Sequence, residues 1–302
     1  MQDDDHLHAW LMRLLGPGTR AFHVAGRTLE GTWRDGFIHA GNLAYLTLLA
    51  LFPFFILDTA LFALLGKVSE SEVLISAILA AMPHSVAQTI KPAALEVLDA
   101  RHGWLLWAGA VVALWTVSSV IETLRDILRR AYGVRATQPF WKYRLGSIGL
   151  ILASVIMLMF SFYAQISLTA LQALVSARLP NFGDAISWLA ATRALPALGL
   201  LISFWLLFFT LTPSCGRGSP VWPGALFITL WSMAVTMALP PLLRSFVSYS
   251  LIYGSLAGIM ITLFFFWLVG LGVVIGAELN AALAKVHDEI GADRGPVKED
   301  AA

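Results

Sequence analysis

Six apolar stretches, each long enough to cross a bilayer, constrain this chain more than any other feature. A helix needs about 20 mostly apolar residues to traverse about 30 Å of hydrocarbon. The stretches are Ile38–Leu65, Gly103–Ile121, Gly146–Val175, about Ala194–Leu211, Val221–Leu243 and Leu251–Ala277. No backbone polar group can stay unpaired in lipid, so runs this long and continuous are expected to be helices. Strands of a membrane barrel would instead alternate over about ten residues. Composition agrees: 58% of the 302 residues are hydrophobic and only 13% are charged. Soluble domains carry about 25% charged residues, so a water-soluble body of this size would lack polar surface. The net charge of +1 supplies no basic field for nucleic acid, and one cysteine, Cys215, forms no internal disulfide.

The reading is therefore an all-α polytopic membrane protein with six transmembrane helices. Residues 1–37 form an N-terminal segment, 38–283 the membrane domain and 284–302 a flexible tail. Lys and Arg set the orientation. Fourteen of the twenty lie before span one, between spans two and three, between spans four and five, and after span six. Both termini are thus expected in the cytoplasm. Asp3, Asp4 and Asp5 with no apolar core do not read as a cleaved signal peptide. Arg20, Arg27 and Arg34 recur every seven residues, with Phe22, Leu29 and Trp33 on another face. That pattern predicts an amphipathic helix suited to the inner leaflet surface. The outer loop, 66–102, carries helical apolar stripes interrupted by Pro83 and Pro92. It reads as short amphipathic helices that either form a lid or docking surface or seal the bundle.

Polar residues within or beside the spans are the candidate functional groups. Glu122 and Glu278 follow two spans that run in the same direction, so they share a depth. With Arg125 and Arg129 at i+3 and i+7 from Glu122, and with Asn280, they are expected to form a polar cluster at the inner mouth. An ion-pair network that fixes helix packing is the competing reading. Asn42, Asp58 and Gln165 are the polar groups inside the membrane region, with Asp58 near the outer interface. No central Asp, Glu or His relay of the kind used by proton-coupled pumps is visible, which favours amphiphilic cargo over small ions. Pro53 interrupts span one. Tyr253, Gly254, Gly258, Gly272 and Gly276 are packing or hinge positions, because small residues four apart let helices approach. Ser219 and Pro220 read as N-cap and first residue of span five. Serine-hydrolase, phosphate-loop and zinc-protease motifs are absent from the sequence. The chain is accordingly expected to be non-enzymatic, with no cofactor, metal or nucleic-acid partner.

Four segments together resemble the YihY/BrkB family of bacterial inner-membrane proteins. They are Ala44–Pro53; Trp115 through Ala131-Tyr132-Gly133-Val134 to Pro139-Phe140-Trp141; Ser219-Pro220 with Pro223-Gly224-Ala225; and Tyr253-Gly254-Ser255-Leu256-Ala257-Gly258 leading to Gly276-Ala277-Glu278-Leu279-Asn280. The likeness spans about Gly36 to Leu283. Ala50 stands where the family usually has Ser, and Asn42 and Asp126 also depart from its pattern. The resemblance implies a six-helix protein of the bacterial inner membrane whose relatives are linked to lipid export and envelope integrity. It also brings an older ribonuclease label, for which the sequence supplies no nuclease centre. The expected function is lipid transport or flipping, with membrane lipids as partners. The alternative is a non-transporting scaffold that docks an envelope protein through 66–102, and a membrane-tethered ribonuclease is a weaker third reading.

Overall fold

A computed structural model describes residues 19–64, 68–99, 104–135, 141–152, 194–213, 220–245 and 256–293. Among them every regular element is a helix. In chain order these are α1 (Arg20–Gly31), α2 (Phe37–Leu64), α3 (Val68–Ala81), α4 (His84–Asp99), α5 (Trp104–Tyr132), α6 (141–152), α7 (Ala194–Leu211), α8 (Trp222–Ser245) and α9 (Leu256–Asp293). Four helical runs are long and apolar enough to cross a membrane: Arg20–Ala60, Trp107–Tyr132, Trp222–Leu243 and Leu256–Val286. They take in the first, second, fifth and sixth expected spans. The fourth is the shorter apolar helix Ala197–Leu211, and the third lies mostly outside the described residues.

The longest helix organises the rest. At 38 residues α9 extends about 57 Å, well beyond the thickness of the hydrocarbon. It packs on α1, α2, α4, α5 and α8. Residues 284–293, expected to belong to a flexible tail, continue α9 as helix to Asp293. One core joins Leu124, Leu128, Phe208, Ile228 and Val274 from α5, α7, α8 and α9. A second joins Phe55, Ile75, Val86, Ile90 and Phe265. The helices of the 66–102 loop therefore contribute buried apolar side chains to the bundle itself.

The described part of the N-terminal segment, from Thr19 onward, packs on the bundle. Thr19 caps α1, its Oγ1 accepting from the Phe22 amide at 3.3 Å. A π-helical turn at Thr32–Gly36 then carries α1 into α2 without a break. Val24, Thr28, Thr32 and Gly36, four apart, are the buried residues of this run. These small side chains allow the close approach to α9 seen at Gly36, where an added Cβ would stand 3.2 Å from Val274 Cγ1. Phe22, Leu29 and Trp33 are exposed instead, at 49%, 70% and 79%. The large apolar stripe faces outward and the small-residue stripe faces the protein.

The end of α5 is a Schellman cap. Gly133 adopts φ 71°, the Val134 amide donates to the Arg129 carbonyl at 2.8 Å, and the Gly133 amide donates to the Arg130 carbonyl at 3.0 Å. Glycine reaches that left-handed conformation without the steric penalty of a Cβ.

Candidate functional site

The polar residues expected at one mouth are distributed among three arrangements. In the first, α5 faces α6. Glu122 Oε2 accepts from Arg144 Nη1 at 3.0 Å, and that arginine side chain is only 5% exposed. Arg144 Nη2 also donates to the Trp115 carbonyl at 2.8 Å, and the guanidinium lies 3.9 Å above the Trp115 ring. Arg125 Nη1 donates to Ser147 Oγ at 3.0 Å and to the Tyr143 carbonyl at 3.3 Å. Arg129 stacks 3.9 Å over the Tyr143 ring. Glu122, Arg125 and Arg129 thus turn towards residues 143–147, and the ion-pair partner of Glu122 is Arg144. Arg144 was legible only as a topology-setting charge, because the apolar run that follows starts at Gly146. A desolvated guanidinium needs a carboxylate and further acceptors, and this clamp supplies both.

The second arrangement is a pocket of about 360 Å³ among α1, α5 and α9. Arg27, Arg34, Arg130 and Lys285 line it, with Glu30 and Glu278 as the acidic members. Among the lining residues four cations face two carboxylates, and Arg27, Arg34 and Arg130 also pair with Glu289, Asp35 and Asp126 beyond the lining. Arg27 Nη2 donates to Glu289 Oε1 at 2.7 Å, while its Nη1 is buried without a hydrogen-bond partner. Lys285 Nζ donates to the Ala131 carbonyl at 3.3 Å, where the last turn of α5 concentrates negative partial charge. Glu278 lies against the α1 backbone, since a Cβ on Gly31 would collide with its carboxyl group. The contact between α1 and α9 that builds the pocket joins residues over 240 positions apart. The heptad spacing of Arg20, Arg27 and Arg34 gave no sign of it.

Asn280 makes the third. It is fully buried and caps α8, not the mouth. Its Oδ1 accepts from the Gly224 amide at 2.8 Å, and its Nδ2 donates to the Val221 carbonyl at 3.0 Å. Helix α8 begins at Trp222, so Pro220 precedes the helix and the expected cap Ser219 lies outside the described residues. The first-turn amide of Gly224 is satisfied by a neighbouring helix, which no local sequence signal announces.

The glycines of α9 sit at close crossings. A Cβ on Gly258 would stand 2.7 Å from Thr89 Oγ1 in α4. One on Gly272 would strike the Trp231 indole, and one on Gly276 would meet the Gly224 carbonyl at 3.0 Å. Pro53 lies inside α2, which continues to Leu64. Asp58 is fully buried, with its Oδ2 accepting from Ser71 Oγ at 2.8 Å, so it ties α2 to α3. Asn42 is exposed on α2 and lines a cleft against α5. Gln165, Tyr253 and Gly254 lie outside the described residues. Among the described residues no three His, Cys, Asp or Glu side chains gather as a metal site.

Comparison with known proteins places these features in a family. A family model described as Virulence factor BrkB matches residues 29–300. A Bacillus subtilis (strain 168) protein named putative ribonuclease-like protein YfkH is 31% identical over 270 residues, covering 84% of this chain and 92% of that one. A UPF0761 membrane protein of Aeromonas salmonicida (strain A449) is 29% identical, covering 84% and 86%. Another from Vibrio vulnificus (strain YJ016) is 30% identical, covering 82% and 78%. No solved structure matches. The family match covers nearly the whole helical bundle and agrees with the motifs from Ala44 to Asn280, so the chain belongs to the Virulence factor BrkB family of membrane proteins.

Proposed function

We propose that this protein handles membrane lipids, either as a flippase or as an inner-membrane element of a lipid-export path. The observation that carries the reading is the basic pocket of Arg27, Arg34, Arg130 and Lys285 beside long apolar helices. Its volume of about 360 Å³ falls within the range of about 300–1,000 Å³ typical of small-ligand sites. Guanidinium groups suit phosphate, which they bind through paired N–H donors. A lipid whose phosphate enters this pocket can leave its acyl chains in the bilayer, so no central proton relay is required. In this reading six helices span the bacterial inner membrane, both termini are cytoplasmic, and the pocket opens to the cytoplasmic leaflet. The exposed Phe22, Leu29 and Trp33 then rest in the interface. The activity is transfer, not bond cleavage.

The scaffold alternative, with an envelope protein docked through 66–102, has less support. Ile75, Val86 and Ile90 of that segment are spent on the bundle core.

The test is phospholipid scrambling by purified protein in proteoliposomes, followed by quenching of a fluorescent headgroup. Faster exchange than in empty vesicles, reduced by the joint substitution Arg27→Ala and Arg34→Ala, is the expected result. No acceleration by folded wild-type protein overturns the transport reading.

A further inference from the structure

The seam between α5 and α6 carries more cations than its acids can pair. From Ser119 to Ser147 the chain holds Arg125, Arg129, Arg130, Arg135, Lys142 and Arg144, and its acids there are Glu122 and Asp126. Arg144 takes Glu122 at 3.0 Å, and Arg130 takes Asp126 at 2.9 Å. Arg125, Arg129, Arg135 and Lys142 are left without an ion-pair partner among the described residues.

Arg125 and Arg129 stand one turn apart on α5 and turn to the same ring. Their guanidinium carbons lie 5.5 and 3.9 Å from the centre of Tyr143. Like charges at i and i+4 repel, so the pair costs stability unless an anion joins it. Arg125 uses Nη1 on Ser147 and on the Tyr143 carbonyl. Arg129 makes no hydrogen bond among the described residues, yet none of its nitrogens is sealed from outside, unlike Arg27 Nη1. Stacking on the ring fixes the guanidinium and leaves its N–H edge free, which is the fork that phosphate oxygens accept.

We propose that Arg125 and Arg129 hold the phosphate of an anionic phospholipid at the α5–α6 seam. Neither arginine lines the basic pocket, so this is a second site. Both stand on Trp107–Tyr132, a run long and apolar enough to cross a membrane, so the phosphate within reach is one carried by a lipid. Trp141 and Leu145, which flank Tyr143 on α6, are 68% and 73% exposed and offer apolar surface to the acyl chains. The exposed Arg135 and Lys142 add positive charge to the same rim. That charge answers a headgroup of net negative charge, such as glycerol phosphate, and opposes the cation of a choline headgroup. The lipid is a resident ligand that ties α5 to α6, whether or not the protein also moves lipid.

The experiment uses the full-length protein in detergent micelles. Bound lipids are counted by native mass spectrometry during titration with short-chain phosphatidylglycerol or phosphatidylcholine. Wild type is expected to hold one phosphatidylglycerol at this site about tenfold more tightly than phosphatidylcholine, the size of one good charged hydrogen bond. Arg129→Gln, which breaks no hydrogen bond of the fold, is expected to remove that lipid. Arg129→Lys keeps the charge without the fork and is expected to weaken binding severalfold. Phosphatidylglycerol binding unchanged in both Arg129 variants, equal tightness for the two lipids, or full displacement by an equal concentration of inorganic phosphate overturns the resident site. A lipid lost only from the joint variant Arg27→Ala and Arg34→Ala also overturns it and leaves the basic pocket standing. A lipid lost only from the Arg129 variants supports the resident site and counts against the basic pocket.

Discussion

Replacing Asn280 with alanine removes one side chain and strands two backbone groups. The Gly224 amide loses its acceptor at 2.8 Å, and the Val221 carbonyl loses its donor at 3.0 Å. Neither loss is covered by water, because Asn280 is fully buried. The Val221 carbonyl keeps only the Ala225 amide, at 3.4 Å. An orphaned buried polar group costs about 1–3 kcal/mol, whereas side-chain hydrogen bonds within membrane proteins average about 0.6 kcal/mol. One full and one partial loss between those limits give about 2–3 kcal/mol, or about 30- to 140-fold in the folded-to-unfolded ratio. The assay is reversible unfolding in mixed micelles by titration with a denaturing detergent. A change below about 0.5 kcal/mol would show that the α8 cap is replaceable and refute the reasoning. Gly224→Ala provides a second reading of the same crossing. Its Cβ would meet the Gly276 carbonyl oxygen, a backbone atom that cannot swing aside, as well as Asn280 itself. Because the two residues touch, the double variant should depart from additivity, costing less than the two singles together.

Three further outcomes are expected. Arg144→Ala, which leaves Glu122 without its partner and empties the stack on Trp115, should destabilise the protein by about 2–4 kcal/mol; the joint replacement Glu122→Leu and Arg144→Met should cost less than Arg144→Ala alone, as read by the same unfolding titration. Gly258→Ala should loosen α9 from α4 by about 1–3 kcal/mol, and Thr89→Ala in the same chain should recover much of that loss in a thermal-shift measurement, since the Thr89 hydroxyl is the nearest obstacle. Ser71→Ala should cost about 1–3 kcal/mol by removing the donor to buried Asp58, while Asp58→Asn, whose amide oxygen still accepts from Ser71, should be milder; equal melting temperatures for the two variants would contradict this.

Particular elements mark where sequence reasoning reached and where it stopped. Among the described residues the apolar runs fell on helices, because an apolar length beyond about 17 residues leaves the backbone little alternative. Gly133, noted in the sequence only as part of a family motif, ends α5 in the left-handed turn that a Schellman cap needs. The arginines and the outward apolar stripe of α1 were visible, but the small-residue face that meets α9 was not. Phe22, Leu29 and Trp33 drew attention by their hydrophobicity, yet Val24, Thr28 and Thr32 meet α9. In a membrane, helix contact is favoured by small residues, while large apolar ones are equally at home in lipid. The C-terminal segment 284–293 looked polar enough to fray and instead extends α9.

The polar sites divide in the same way. Neighbours within one helix follow from spacing alone, so Arg130 with Asp126 at i and i+4 was determined by the chain. Partners on different helices depend on rotation and register, which spacing does not encode. Only packing decided that Glu122 meets Arg144, that Glu278 lies on the backbone at Gly31, and that Asn280 closes the first turn of α8. The residues specified a charged rim on an apolar bundle. The tertiary structure sorted that rim into a clamp, a basic pocket and a buried cap, because each helix can turn only one face to each neighbour.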